Sequence, residues 1–305
     1  MSLPELARGL AEAFARGGPG ALRAACGQAL MDLRGLDGPG AQAVLDQDPE
    51  LIGLWSPLAG HPALSPVPAL ASALALRLME LSQARACLGC GTCCRTSSPT
   101  LYAEDLACLE AGGLEPGELV TLRRGELAHS SRLGRTFALE GELVKLREGP
   151  RGWCLRLAGS RCAIYERRPR QCRHLECWSG RHAGQLEDLP RLDRRDIYAG
   201  DDTALALIEE YEVKLSAGGL TALFLRAASA AEKPARDQAA EQALELVALD
   251  GRLRAGISER YGYPPEELDL LLGRPSWELA RGHGLFLEVD QQGRPAWQRR
   301  PIPPN

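Results

Sequence analysis

Apolar residues at Leu6, Leu10 and Phe14 recur every four positions and lie on one face of a helix that opens the chain. Ser2 and Glu5 stand at capping-box spacing and Pro4 sits in the first turn, so the start of this helix is marked as well as its face. Gly18-Pro19-Gly20 and Gly38-Pro39-Gly40 predict breaks, and the first 86 residues therefore read as several short helices. A Pro-interrupted loop near His61 to Pro68 leads into a longer helix from about Ala69 into Ala86.

Beyond Asp201 the helical period returns at about Asp202 to Lys214 and about Ala235 to Leu253, with a third apolar segment at Leu220 to Ala228 between them. Leu285 to Asp290 and Ala296 to Arg299 flank Gln-Gln-Gly and predict a hairpin. The stretch between the helical ends has a different texture, with cysteine, arginine and glycine frequent. It carries a helix after Thr100 and a short strand at Glu142 to Leu146. The chain thus reads as mainly α with small irregular β elements: a metal-stapled cysteine core wrapped by N- and C-terminal helices. The expected division is an N-terminal helical segment at 1–86, a cysteine-cluster domain at 87–198 and a C-terminal helical segment at 199–305 that ends in the hairpin.

Composition narrows the function classes. The 305 residues are 45% hydrophobic and 25% charged, enough to bury a core without disulfides. A net charge of −4 argues against a dedicated nucleic-acid binder. The apolar runs around Val67 to Leu76 and Leu220 to Leu225 are shorter than the roughly 20 residues a membrane helix needs, and the N-terminus lacks a signal-peptide pattern. A cytoplasmic setting is expected, where thiols stay reduced and clustered cysteines point to metal or catalysis rather than disulfides.

Eight of the ten cysteines fall in two groups. Cys87, Cys90, Cys93 and Cys94 form C-x2-C-x2-C-C; Cys154, Cys162, Cys172 and Cys177 follow. Close spacings let a turn of backbone aim two sulfurs at one ion, and soft thiolates favour zinc or iron–sulfur clusters. These eight are the candidate metal ligands, expected to form one site complex. Vicinal Cys93 and Cys94 normally project apart, so one of them is expected to serve a different metal. Gly89 and Gly91 free the backbone to wrap and to offer N–H groups to sulfur. Cys26 and Cys108, in helical contexts, read as simple buried residues.

Four thiolates around a divalent ion leave two uncompensated negative charges, and basic residues are nearby. Arg95 follows the first group; Arg161, Arg167, Arg168, Arg170 and Arg173 crowd the second. They read as charge compensation, against the alternative of a solvated arginine surface. Tyr165 to Pro169 predicts a short helical turn stopped by proline, with Cys162 and Cys172 on either side of an elbow. Tyr165 and Arg168 either support sulfur or simply pack. Trp153 and Trp178 bracket the second group, either to exclude water or as ordinary core. His174 and His182 read as imidazoles outside the ligand set rather than as ligands. Motifs of zincins, P-loop NTPases, serine hydrolases and dinucleotide binders are absent from the sequence.

Cys87, Cys90, Gly91, Cys93 and Cys94, together with Cys162, Tyr165, Arg168, Pro169, Cys172 and Arg173, resemble the YkgJ-type cysteine-cluster family, known by its CxxCxxCC motif. The resemblance spans about Cys87 to Trp178 and implies a bound zinc ion or iron–sulfur centre. That family includes relatives of flagellin lysine methylases, whose similar cluster is associated with an iron–sulfur centre; the flanks of this chain bear no motif of that activity. The expectation is a metal-binding protein with a structural or metal-handling role. The alternative is an iron–sulfur-dependent protein-modifying enzyme, lysine N-methylase-like, or an electron carrier. The expected partner is a metal ion or cluster, with a protein partner or protein substrate left open and no membrane.

Overall fold

A computed structural model of the chain describes residues 1–60, 67–130, 135–178, 186, 189–289, 292 and 294–301. The loop expected from His61 lies outside them through residue 66, as do His182 and most of the Gln-Gln-Gly turn. The described chain is mainly helical, with small two-stranded antiparallel sheets. None of its helices is long and apolar enough to cross a membrane. The residues divide into two compact units, each discontinuous in sequence: unit 1 is Met1–Ser97 with Glu148–Asp188, and unit 2 is Ser98–Arg147 with Leu189–Asn305.

Unit 1 begins with helix α1 (Leu3–Arg34), where the Ser2 N–H donates to Glu5 Oε2 at 2.7 Å. The break expected at Gly18-Pro19-Gly20 is a kink inside this helix. Gly17 (φ −150°, ψ 19°) and Gly18 (φ 66°, ψ −155°) leave the helical region and the helix resumes. Gly35, at φ 67°, ends it. Asp37 then starts α2 (Gly38–Gln47) by accepting from the Gly40 N–H at 2.7 Å. After α3 (Pro49–Gly60) comes α4 (Val67–Gln83), which runs against α1. Leu10, Leu22, Leu30, Leu45, Leu51, Leu74 and Leu78, each about 1% exposed or less, form the core, with Cys26 and Cys90 among them. A fully buried leucine stabilises by about 1.5–3 kcal/mol, so this helical core has a strong driving force without help from the thiols.

Unit 2 contains the strand expected before Leu146, at Leu143–Leu146, and its antiparallel partner Leu119–Leu122. Helices Asp202–Lys214, Ala217–Ser229 and Lys233–Tyr261 cover the three C-terminal apolar patterns, the last running eight residues beyond Leu253 to a left-handed Gly262. The terminal hairpin pairs Leu285–Val289 with Pro295–Arg299. Its Trp297 meets Phe224 edge-on at 6.2 Å and donates to the Ala240 carbonyl. A few arginines and carboxylates enter a mainly apolar interior. Arg194, 1% exposed, meets Glu142 at 3.1 Å and Glu212 at 2.5 Å. Asp250, also 1% exposed, accepts from Tyr211 Oη, Arg254 Nε, and the Ser276 N–H and hydroxyl at 2.6–2.8 Å.

Candidate metal centre

The first cysteine group hangs from the C-terminal ends of α1 and α4. Arg34, in the last turn of α1 and 7% exposed, donates to the carbonyls of Ser82, Ala84 and Ala86 at 2.9, 2.8 and 3.0 Å. It fixes the exit from α4 directly before Cys87. Gly89 and Gly91 then take the left-handed conformation at φ 65° and 73°, and the Gly89 N–H lies 3.4 Å from Cys87 Sγ. At Gly91 the need is steric as well, because a Cβ would stand 2.7 Å from the Ser160 carbonyl oxygen and 2.8 Å from Arg95 Nη1. Gly91 precedes the short helix α5 (Thr92–Thr96), which carries Cys93 and Cys94.

Asp37 ties α5 to the helical core. Its carboxylate accepts from Thr92 Oγ1 at 2.9 Å and from Arg95 Nε and Nη2 at 2.9 and 2.6 Å. Arg95 also donates to the Cys90 carbonyl at 3.0 Å. The bond from Arg95, with those from Thr92 and the Gly40 N–H, lowers the Asp37 carboxyl to about 2. Arg95 is therefore paired with a carboxylate, and its charge acts on Cys93 as well. The Cys90 thiol, 8% exposed, lies 3.4 Å from Thr92 Oγ1.

The second group docks on the first through backbone. The Cys154 N–H donates to the Cys94 carbonyl at 2.8 Å, and the Cys154 carbonyl accepts from Leu157 N–H at 3.0 Å. Leu157 is the ladder partner of Cys162 in a hairpin formed by Leu157–Ala158 and Arg161–Cys162. Gln47 of α2 holds that hairpin, accepting from Arg161 Nε at 2.6 Å and donating to Ser160 Oγ. The elbow follows: a 3-10 turn at Tyr165–Arg167, an extended Arg168 forced by Pro169, and helix Arg170–His174 with Cys172 in its middle. Arg168 stacks on the Tyr165 ring at 3.8 Å, and Arg173 donates to the Arg168 carbonyl at 2.8 Å.

Arg34 and Asp37 were not legible as site residues. Arg34 Nη2 lies 4.0 Å from Cys177 Sγ, 143 residues away, and the guanidinium sits 5.7 Å from the Trp178 ring centre. The sequence signal was slight: a cation in the last turn of a long helix and an N-cap aspartate before Gly-Pro-Gly. Trp153 lies beneath Arg151 at 3.9 Å and Arg95 at 5.9 Å. Cys26 is fully buried, its thiol pushed up to about 12 by desolvation. Cys108 is only half-buried and belongs to unit 2, which corrects the expectation that both lone cysteines are simply buried.

All eight candidate thiols belong to unit 1. Cys93 Sγ and Cys94 Sγ are 3.9 Å apart, near the edge of about 3.8 Å that Zn–S bonds of about 2.3 Å give a tetrahedron. The neighbouring side chains thus project together rather than apart. The thiolate charges that weigh most on Cys177 are those of Cys90, Cys87 and Cys93. Those on Cys172 come from Cys93, Cys154 and Cys162, and those on Cys94 from Cys93, Cys154 and Cys172. Desolvation raises Cys87, Cys154, Cys172 and Cys177, even though Cys87 and Cys177 are exposed residues. Within the vicinal pair, the hydrogen bond with Cys94 lowers Cys93 to about 7 and drives Cys94 upward. The raised thiols Cys87, Cys154, Cys172 and Cys177 hold their protons more tightly than a free cysteine, and a cation binding there would displace them. Among the described residues no three His, Cys, Asp or Glu side chains already encircle one point as metal ligands. The all-sulfur donor set fits zinc or iron, and closing it around an ion requires movement of the side chains.

Residues 86–190 match the family model CxxCxxCC, described as "Putative zinc- or iron-chelating domain". The matched span contains all eight thiols. No curated protein and no solved structure is significantly similar to the chain.

Proposed function

We propose, taking residues 86–190 as a chelating domain of the CxxCxxCC type, that the chain binds zinc or an iron–sulfur centre through Cys87, Cys90, Cys93, Cys94, Cys154, Cys162, Cys172 and Cys177. The observation that carries this reading is the backbone bond from Cys154 N–H to the Cys94 carbonyl. Two thiol groups remote in sequence thereby meet inside one compact unit. A bound ion would supply charge neutralisation and cross-linking for segments with little regular structure of their own.

The role is structural or metal-handling, in a reducing cytoplasm. Cys90 and Cys154 are buried and suit an anchor. Cys87, Cys93 and Cys177 are exposed, which suits exchange of the ion with a protein partner. Electron transfer, or modification of a protein substrate at an iron–sulfur centre, would need a coloured iron protein.

Metal analysis with a visible absorption spectrum, on protein purified without oxygen, tests the reading. Bound zinc or iron is expected in the wild type, strongly reduced in Cys90→Ser and Cys172→Ser and retained in Cys26→Ala. A folded wild type free of metal overturns it. A colourless, zinc-only sample eliminates the iron–sulfur alternatives.

A further inference from the structure

Unit 2 carries an open cleft of about 480 Å³ between helix Lys233–Tyr261, on the side of Ala255 and Ser258, and the segment that holds Pro265, Leu268, Pro275 and Trp277. Arg254 stands in its wall with every nitrogen engaged: Nε on Asp250 at 2.8 Å, Nη1 on Asp269 at 3.2 Å and Nη2 on the Gly273 carbonyl. The surface left for a ligand is mainly apolar, and Trp277 is 42% exposed at its edge. From Trp277 a row of alternating rings and guanidiniums leads toward Pro301, the last described residue. Arg281 lies 5.5 Å from the Trp277 ring centre and 5.6 Å from that of Phe286, and Arg300 lies 5.2 Å from Phe286. The Arg300 N–H donates to the Gly284 carbonyl at 2.9 Å. The chain therefore leaves the hairpin just past helix Ser276–Arg281, whose first turn carries Trp277.

The sequence continues as Pro301-Ile302-Pro303-Pro304-Asn305, of which Ile302 to Asn305 lie outside the described residues. Three prolines in five residues suit a polyproline II run, which extends about 3.1 Å per residue and so spans about 15 Å. Trp277 precedes Gly284 by seven residues, a rise of about 10 Å along a helix. The segment is long enough to reach the cleft. Proline-rich runs dock in aromatic-lined grooves, and their fixed φ leaves little entropy to lose on docking. We propose that the Trp277 cleft is the docking site of this chain's own C-terminal segment, Ile302 to Asn305, led there along the row from Arg300 to Trp277. Its proline rings and Ile302 cover the apolar wall and the exposed indole. Every residue involved belongs to unit 2, so the docking stands apart from the metal reading.

The full chain and a chain ending at Pro301 are labelled with 5-fluorotryptophan and compared by fluorine NMR, the Trp277 signal being assigned with Trp277→Phe. Removal of Ile302 to Asn305 is expected to move the Trp277 signal while those of Trp55, Trp153 and Trp178 in unit 1 hold. A synthetic peptide of residues 299–305, added to the shortened chain, is expected to return the signal toward its full-chain position. The full chain is expected to bind that peptide at least about tenfold more weakly, because its tethered segment competes at millimolar effective concentration. A Trp277 signal that is the same in both chains, or a shortened chain that does not respond to the peptide, overturns the docking. Equal binding of the peptide by both chains overturns it as well and assigns the cleft to a proline-rich segment of another protein. A full-chain signal that moves to the shortened-chain position on dilution places the segment on a second copy and overturns the seat within one chain. Pro303→Ser/Pro304→Ser keeps the length of the full chain and is expected to move the Trp277 signal as truncation does; an unmoved signal removes the prolines as the docking element and overturns the proposal.

Discussion

The two units handle buried polar atoms in opposite ways. Unit 2 matches charge with charge: Arg194 has Glu142 and Glu212, Arg254 has Asp250 and Asp269, and Arg274 has Glu126. The pairing is not total, since Arg123 Nη2 and Arg194 Nε are buried without a hydrogen-bond partner among the described residues. Unit 1 gathers sulfur instead, and the cations beside it are shared: Arg95 pairs with Asp37, and Arg34 holds three carbonyls while lying 4.0 Å from Cys177 Sγ. A helical core of leucines supports that gathering from one side, while the segment from Glu148 to Trp178 contributes a two-residue-strand hairpin, one 3-10 turn and one short helix. On the proposed reading, a cation does for unit 1 what the ion pairs do for unit 2.

Removing the metal should break the comparison most. A structural zinc site contributes about 10–16 kcal/mol of apparent binding energy, as much as the about 5–15 kcal/mol stability of a whole domain. Chelation under reducing conditions is expected to expose the amides of 86–97 and 148–178 to hydrogen exchange while α1, α4 and unit 2 stay protected. Uniform protection before and after would refute a stapling role. Asp250→Ala is the converse test, because it removes the buried carboxylate on which Tyr211, Arg254 and Ser276 converge and should cost about 3–5 kcal/mol. Thermal unfolding of unit 2 should fall while metal content holds.

Gly91→Ala comes next. The left-handed φ and the contacts a Cβ would make predict about 1–3 kcal/mol of strain, read as lowered metal content at unchanged helicity. The smallest effect is expected from Asp37→Asn, about 1 kcal/mol, since the carboxylate is partly exposed. The Asp37 carboxyl lies near 2 when folded, below the roughly 3.9 of an unfolded aspartate. Its contribution is therefore present above about pH 4 and fades as pH falls toward 2. Denaturation of wild type and Asp37→Asn should converge over that window, and a constant gap would exclude the pairing as its source.

Local signals in the sequence translated directly into structure. The capping box at Ser2 and Glu5, the helix at Asp202–Lys214 and the proline-stopped turn before Cys172 each depend on residues within a turn or two. Of the candidate site, the glycines at 89 and 91 were legible, and their positive φ values are what a tightly wrapped backbone requires. What stayed hidden depends on partners remote in the chain. Leu119–Leu122 shows no alternation because three of its four residues are buried, so it reads as a strand only beside Leu143–Leu146. Arg34 and Cys177 are joined by folding alone. The arginines of unit 2 look like surface until Glu142, Glu212 and Glu126 are seen against them.

Ser98–Arg147 belongs to unit 2 although it is bounded by the two thiol groups of unit 1. On the ribosome, Cys87 to Cys94 therefore emerge well ahead of Cys154 to Cys177. At roughly 5–20 residues per second the delay is several seconds. A nascent chain passes through that interval with the first four candidate thiols made and the other four still to come, so on the proposed reading the full ligand set can assemble only once the second group has been synthesised.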